Sequence, residues 1–373
     1  MYFAILWKHT HISMEELRYL QPTSFRTYNE QIVFFDTEYP QRIEQLAGIV
    51  KRWTILNYNE LKPELENCPI IGVHDAKHGQ QLKKHFGIKR FKLLDLLRSD
   101  REIKKKGKEI LVFQTKEGQS YGLVTGYQNI KRYEVIDFGK PARSMKVGMM
   151  PAKLTHIMIN IWLTYTAIDT MSNIYDPFCG LGTTVLMANA LGYHAIGSDI
   201  QPEHAQKNIN RRKKQGHCED KHSEDAAIQN NINKLATCNL QLCTKKNMYI
   251  FQHDVTKPFT EPKLQNAPLI VTEWRLGPMV TQKTDSTQIA EYSRQVEELY
   301  SAFLTSIHAY YQKTQLPTIV ITIPYYIKQE NIIAEYMDKQ ATKLWRESKI
   351  IKEIYSRPKQ YVGRQIMILT AKT

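Results

Sequence analysis

Apolar residues in this chain fall mostly into short runs bounded by polar turns, the punctuation of strands. YFAILW (2–7) and QIVFFDT (31–37) flank a helical stretch at Ser13–Leu20 and predict a small α+β module over residues 1–46. AGIVKRWTIL (47–56) and PIIGVHD (69–75) read as further strands, and ILVFQT (110–115) with SYGLVTGYQ (120–128) as a hairpin across KEGQ. In the second half such runs alternate with helical spacing. Asn173–Asp176 is a short strand, the apolar spacing of Val185, Leu186, Ala188, Ala190 and Leu191 predicts a helix from Thr183 that stops at Gly192, and His194–Ser198 is a second strand ending at Asp199. MYIFQHD (248–254), PLIVTE (268–273) and TIVITIPY (318–325) are strands, Ile289–Tyr311 is a long amphipathic helix, and IKEIYS (351–356) with RQIMILTA (364–371) closes the pattern as a hairpin. Strands alternating with helices predict an α/β fold with a Rossmann-like doubly wound sheet, which binds ligands at the carboxyl ends of its strands.

The turn DPFCGLGTT after the first of those strands carries the chemistry. Gly180 and Gly182 let backbone approach a ligand closely, and Thr183 and Thr184 open the helix. Asp199, seventeen residues past Gly182, stands where a ribose diol is held. Asp176, at the start of the turn, would repel a pyrophosphate and welcome an ammonium. A ligand with a ribose, a purine and a cationic amino-acid end is S-adenosylmethionine. Asp254 ends the third strand, placed for the adenine edge, and Glu273 ends the fourth. Each acid alone reads as a helix N-cap; all four at strand ends read as a site.

Charge adds a partner class. Lys plus Arg number 51 against 37 acids, a net charge of +14, which points to a polyanion, nucleic acid before membrane. Residues 77–108 hold twelve Lys or Arg against three acids, among Phe86 and Phe91. Lys83, Lys84, Lys89, Arg90, Lys104, Lys105 and Lys106 are the candidate phosphate contacts; the bland alternative is a solvated helix face. No apolar stretch reaches the ~18 residues of a membrane span, and MYFAILWKHTH is too short for a signal peptide. Five Cys at irregular spacing make no disulfide framework, so a reduced, cytoplasmic protein is expected, with a monomer favoured. Cys218, His222, Cys238 and Cys243 lack paired C-x-x-C spacing and sit among Asn, Gln and Lys, so a polar surface loop is expected there rather than zinc.

Asp176-Pro177-Phe178-Cys179-Gly180 with Gly182 resembles the cofactor motif of RNA guanosine-N2 methyltransferases and related amino-methylating enzymes. YQNIKRYEVIDFGKPARSMKVGMMPAKLTHIMIN (127–160) and the closing RPKQYVGRQIMIL resemble, more narrowly, the THUMP-domain tRNA guanosine-N2 methyltransferases of archaeal type. The resemblance implies an N-terminal ferredoxin-like module (1–46), a THUMP-like RNA-binding domain (47–138) and a methyltransferase domain (139–373). It implies that Asp176, Cys179, Gly180, Gly182, Thr183 and Thr184 surround the methionine end of S-adenosylmethionine and Asp199 its ribose. It also implies N2-methylation of a guanosine near the base of the tRNA D-arm. In that group the fourth strand ends in Asp/Asn-Pro-Pro-Tyr/Phe. Its acid and a carbonyl accept the amine N–H bonds, turning the nitrogen lone pair toward the methyl, and its aromatic residue stacks on the flipped base. Here the segment is Thr272-Glu273-Trp274-Arg275, with no proline until Pro278. Glu273 supplies an acceptor, Trp274 a stacking face and Arg275 a phosphate or stacking contact. Two other readings stay open: a DNA amino-methyltransferase, acting on N6 of adenine or N4 of cytosine, and a catalytically degenerate RNA-binding protein that keeps the cofactor fold.

Overall fold

A computed structural model describes residues 2–115, 118–140, 150–165, 173–215, 247–273, 277–278, 280–312, 314–327, 332–345, 347–356 and 360–371. They divide into two units, Met1–Asn129 and Ile130–Thr373.

In the first unit β1 (Tyr2–Leu6), α1 (Thr10–Leu17), β2 (Pro22–Thr27), β3 (Ile32–Thr37), a 3₁₀ turn (Pro40–Gln45) and β4 (Ile49–Leu56) follow one another. β1 lies between β3 and β4 with β2 outside β3, the order of a ferredoxin-like βαββαβ unit. Its second helix is reduced to the 3₁₀ turn, where Pro40 starts the turn and Ile43 is the buried residue. The ferredoxin-like module expected over 1–46 therefore takes its fourth strand from 49–56, a run the sequence reading gave to the next domain. β2 escaped that reading because it is an exposed strand with no apolar face to alternate.

The sheet does not stop there. α2 (Tyr58–Leu65), β5 (Ile70–Val73), α3 (Ala76–Phe86), β6 (Arg90–Leu93), α4 (Arg101–Lys106), β7 (Lys108–Thr115) and β8 (Gly118–Tyr127) extend it to eight strands in the order β2-β3-β1-β4-β8-β7-β5-β6. β4 pairs with β1 on one side and β8 on the other, so no gap opens at residue 46.

The basic run is split by this topology. A Cβ on Gly72 of β5 would meet Ile103 of α4, whereas Gly79 of α3 abuts Val73, the next residue of β5. Neighbouring strand residues face opposite sides, so α3 and α4 cover opposite faces of the sheet. Under α4 lies a buried polar cluster. Glu109 accepts from Lys51 Nζ at 2.5 Å and from Tyr127 OH at 2.8 Å, and His74 Nε2 lies 2.9 Å from it. Lys51 and Glu109 are fully enclosed. Burial pushes the Glu109 carboxyl up, but the bonds from His74, Lys51 and Tyr127 outweigh it and hold the group below its usual range. Tyr127→Phe removes one bond to a charged acceptor and is expected to cost about 1.5–3 kcal/mol, read as a lower urea midpoint with an unchanged slope.

In the second unit α5 (Ile130–Phe138) packs on α6 (Ala152–Thr164): Tyr133 OH meets His156 Nδ1 at 3.0 Å, and Asp137 Oδ1 accepts the Ala152 N–H at 2.9 Å. The boundary expected after residue 138 thus falls after 129. β9 (Asn173–Asp176), α7 (Thr183–Ala190), β10 (His194–Asp199), α8 (Glu203–Gln215), β11 (Met248–Gln252), β12 (Leu269–Glu273), α9 (Ser286–Tyr311), β13 (Thr318–Tyr326), α10 (Ile332–Leu344), β14 (Glu347–Tyr355) and β15 (Val362–Thr370) complete it. The strand order is β11-β10-β9-β12-β13-β15-β14. β9 to β13 are parallel, and β15 runs antiparallel between β13 and β14. This is the expected Rossmann-like doubly wound sheet, with one antiparallel strand set between its last two. The core is apolar on both sides of the strands, with Tyr300, Phe303, Leu304 and Ile307 of α9 against Ile270, Ile319 and Ile321. That leaves the polar chemistry to the carboxyl ends of the strands.

Candidate active site

The glycine turn is built by its neighbours. Gly182 caps α7 with φ 78° and Gly180 has φ 47°, the left-handed region that favours glycine. The Cys179 N–H donates to Ser198 O at 2.9 Å, tying the turn to β10. Cys179 is 4 % exposed and burial pushes its thiol far up, so its side chain is packing rather than chemistry.

Asp176 is 3 % exposed. Its Oδ1 accepts from Thr272 Oγ1 at 2.5 Å and from the Phe178 N–H at 3.1 Å, and Thr184 adds a side-chain bond. Burial raises its pKa to about 7, against those hydrogen bonds and with the Asp199 charge adding to the rise. A buried carboxyl that ionises reluctantly is completed by a cation, which matches the ammonium of the expected ligand. Asp199 Oδ2 accepts the Gly180 N–H and Oδ1 the Gln201 N–H, each at 3.0 Å. The carboxylate is thus aimed by two loops, and each oxygen keeps a lone pair for a ribose hydroxyl. Asp254 Oδ1 accepts from Thr256 N–H and hydroxyl, which hold the group below its usual range. These acids fit S-adenosylmethionine, the expected cofactor of this fold: Asp176 for the ammonium, Asp199 for the ribose, Asp254 for the adenine edge. When bound it supplies an electrophilic methyl group on a sulfonium.

Glu273 sits at the end of β12, one residue past the Thr272 that bonds Asp176. Arg364 Nε of β15 donates to Glu273 Oε1, with the two side chains 5 % and 11 % exposed. Trp274 and Arg275 lie outside the described residues. Past them Gly277 has φ 79°, and a Cβ there would stand 2.5 Å from Tyr326 OH, so glycine is required on both counts.

Four site features were not picked out in the sequence. Arg364 and Thr272 are two. Lys140, 5 % exposed, donates from Nζ to Thr183 Oγ1 at the start of α7. His253 packs 4.4 Å from the Phe259 ring with its Nε2 buried, and burial lowers its pKa. A charged residue inside an apolar strand, as in VGRQIMIL, is the signal that would have flagged Arg364.

The candidate phosphate contacts divide between the two faces of the first unit. Lys83, Lys84 and Lys89 are exposed on and beside α3. Lys104, Lys105 and Lys106 are on α4, with the Lys104 ammonium 4.4 Å over the Tyr127 ring. Arg90 pairs with Glu102, and Lys92 with Asp100 and Glu102. Cys218, His222, Cys238 and Cys243 lie outside the described residues, among which no cluster of metal-binding side chains occurs. No described helix is long and apolar enough to cross a membrane.

A family model described as DNA methylase, of the N6/N4 kind, matches residues 25–211. No curated protein matches the chain. Solved structures similar to it include the rRNA methyltransferase AviRa of Streptomyces viridochromogenes, at 16 % identity over 61 % of this chain and 87 % of that one, TM-score 0.37. A TehB-like S-adenosylmethionine-dependent methyltransferase of Corynebacterium glutamicum is similar at 11 % identity over 55 % and 83 %, TM-score 0.30. A methyltransferase of Pyrococcus furiosus is similar at 10 % identity over 65 % and 96 %, TM-score 0.36.

Proposed function

Since the chain belongs to the DNA methylase family whose model spans residues 25–211, and is by that family and its fold an S-adenosylmethionine-dependent methyltransferase, we propose that it methylates an exocyclic base amine in structured RNA, the N2 of a guanosine in tRNA first. The observation that carries the amine is Glu273, an acid at the end of β12, one residue past the Thr272 that bonds Asp176, and held by Arg364. An amine nitrogen conjugated to a purine is a weak nucleophile. An oriented oxygen accepting one of its N–H bonds turns the lone pair outward. Bound S-adenosylmethionine would supply the methyl group, its sulfur keeping the carbon–sulfur electron pair, while Glu273 would hold the amine nitrogen that takes up the methyl and gives one proton to solvent. The ferredoxin-like unit, the charge of +14 and the resemblance over residues 127–160 favour RNA. The family match itself favours the second reading, a DNA amine.

Incubation with methyl-labelled S-adenosylmethionine and either bulk tRNA or unmethylated genomic DNA, followed by digestion to nucleosides, separates them. N2-methylguanosine from tRNA is expected. N6-methyladenine or N4-methylcytosine from DNA would select the second reading. Label in neither, with both cofactor and RNA bound, would leave the binding-protein reading.

The split of the basic run makes the RNA face testable. Replacing Lys104, Lys105 and Lys106 with Ala is expected to weaken tRNA binding and flatten its salt dependence by ~0.7–0.9 per lost phosphate contact. Lys83→Ala with Lys84→Ala, on the opposite face, is expected to leave the slope in place. The reverse pattern in filter-binding titrations would move the interface to α3.

A further inference from the structure

We propose that Arg364 is a positioning residue for methyl transfer: it pins the Glu273 carboxylate by one oxygen so that the other meets the target amine. This rests on the base-amine reading above. The register carries the argument. Glu273 pairs with Thr322 and Thr322 with Ile366, so the three lie in one row across β12, β13 and β15. Arg364, two residues from Ile366 and opposite Pro324, is on the same face, one step nearer the carboxyl ends of the parallel strands. A whole strand lies between Glu273 and Arg364, and two interstrand steps are ~9.5 Å. Only a pair of long side chains closes that span. The need to reach Arg364 therefore accounts for glutamate, rather than the shorter aspartate, at the end of β12. Arg364 is steadied from the other side, with its Cζ 5.9 Å from the ring of Tyr355 on β14.

The pair is also placed where a purely structural pair has no reason to be. Beyond the buried Gln365, β15 is apolar and buried through Ile366, Met367, Ile368 and Leu369. Burying a guanidinium there is costly against a hydrophobic residue of similar size. What the ion pair provides is one fixed orientation for an acid that would otherwise swing about its side-chain torsions. Glu273 Oε1 is committed to the guanidinium. That leaves Oε2 as the oxygen not held by the guanidinium, suited to an N–H of an amine.

The test is single-turnover methyl transfer to the nucleic acid that the wild type modifies, with cofactor affinity by calorimetry and melting temperature measured in parallel. Arg364→Met is expected to slow transfer by ~10²-fold, the scale of a reacting group misplaced by about an ångström, with cofactor and nucleic-acid affinities within about twofold. Arg364→Lys, which keeps the charge and loses the planar donor, is expected to recover part of the rate. Glu273→Asp, although it restores the family's acid, is expected to be slow, because it no longer reaches Arg364. In a Glu273→Ala background, where no side chain is left to pin, Arg364→Met is expected to cost less than about threefold, since its effect runs through the acid. Equal losses in both backgrounds, or a full rate in Arg364→Met or Glu273→Asp, would overturn the proposal. Should Arg364→Met not fold, the same cycle is run with Arg364→Lys. A wild type that methylates neither RNA nor DNA sinks the functional reading and this proposal together, whereas equal losses in an active enzyme sink this proposal alone.

Discussion

Glu273→Ala is expected to slow methyl transfer by about 10²–10³-fold, about 2.7–4 kcal/mol of barrier by analogy with the loss of one oriented oxyanion-hole donor. Cofactor affinity is expected to hold within about twofold, because the acids expected to hold the ligand are Asp176, Asp199 and Asp254, and Glu273 is not among them. Glu273→Gln keeps one oxygen but loses the charge and the second carboxylate oxygen, so it should fall between wild type and Ala. The fold responds as well. Ala leaves the Arg364 guanidinium enclosed without its carboxylate, a change that costs about 3–5 kcal/mol when a buried pair loses one partner. The rates are therefore compared well below the melting temperature of the weakest variant. Rapid-quench transfer to the methylated substrate gives the order wild type, Gln, Ala if the acid holds the amine. Equal rates in all three would remove Glu273 from the reaction.

The methyltransferase sheet was legible because its period changes where its elements change. Asn173–Asp176, the helix from Thr183 and the strand into Asp199 were read with bounds that the structure reproduces almost residue for residue. Each has a local signal: an apolar run, a glycine turn, helical spacing, then another run. The first unit was harder for equally physical reasons. β2 exposes nearly all of its residues and carries no alternation, and β6, RFKL, hides two cations and a strand inside a charge run. Linear charge density also says nothing about faces, which is why residues 77–108 looked like one patch although α3 and α4 cover opposite sides of β5. The site was half legible. Acids at strand ends are a local feature. Their partners are not: Glu273 and Arg364 are separated by 91 positions and Asp176 and Thr272 by 96, and only the strand order brings them together.

Cofactor binding is expected to strengthen steeply from pH 5 to pH 7, and Asp176 is the reason. With its carboxyl at about 7 in the ligand-free protein, a bound ammonium needs it ionised, so the apparent dissociation constant carries the fraction still protonated. That makes binding roughly fiftyfold weaker at pH 5 than at pH 7 if the carboxyl stays ionised in the complex, and tenfold per pH unit well below 7. Above ~8 the ligand's own amine, with an ordinary α-amino value of ~7.7–8.0, loses its proton and the affinity turns down. The same shift acts on stability. A carboxyl whose folded pKa lies above its unfolded value of ~3.9 contributes fully below pH ~4, and that contribution is lost as pH rises through 7, roughly 4 kcal/mol in all. The ligand-free fold is thus weakened by Asp176 in the pH range where the ligand binds best, and the ligand should raise the melting temperature more at pH 7.5 than at pH 5.5. Asp176→Asn, which has no proton to lose, is expected to bind weakly at pH 7.5 and to flatten the profile below 7. Calorimetry in buffers of different ionisation enthalpy reads the protons exchanged on binding: at pH 7 a net release of about 0.4 proton for the wild type, after the ~0.1 taken up by the ligand's amine, and only that small uptake for Asn. A wild-type profile that is flat from pH 5 to 7, or proton release unchanged in Asp176→Asn, would take the ammonium away from Asp176.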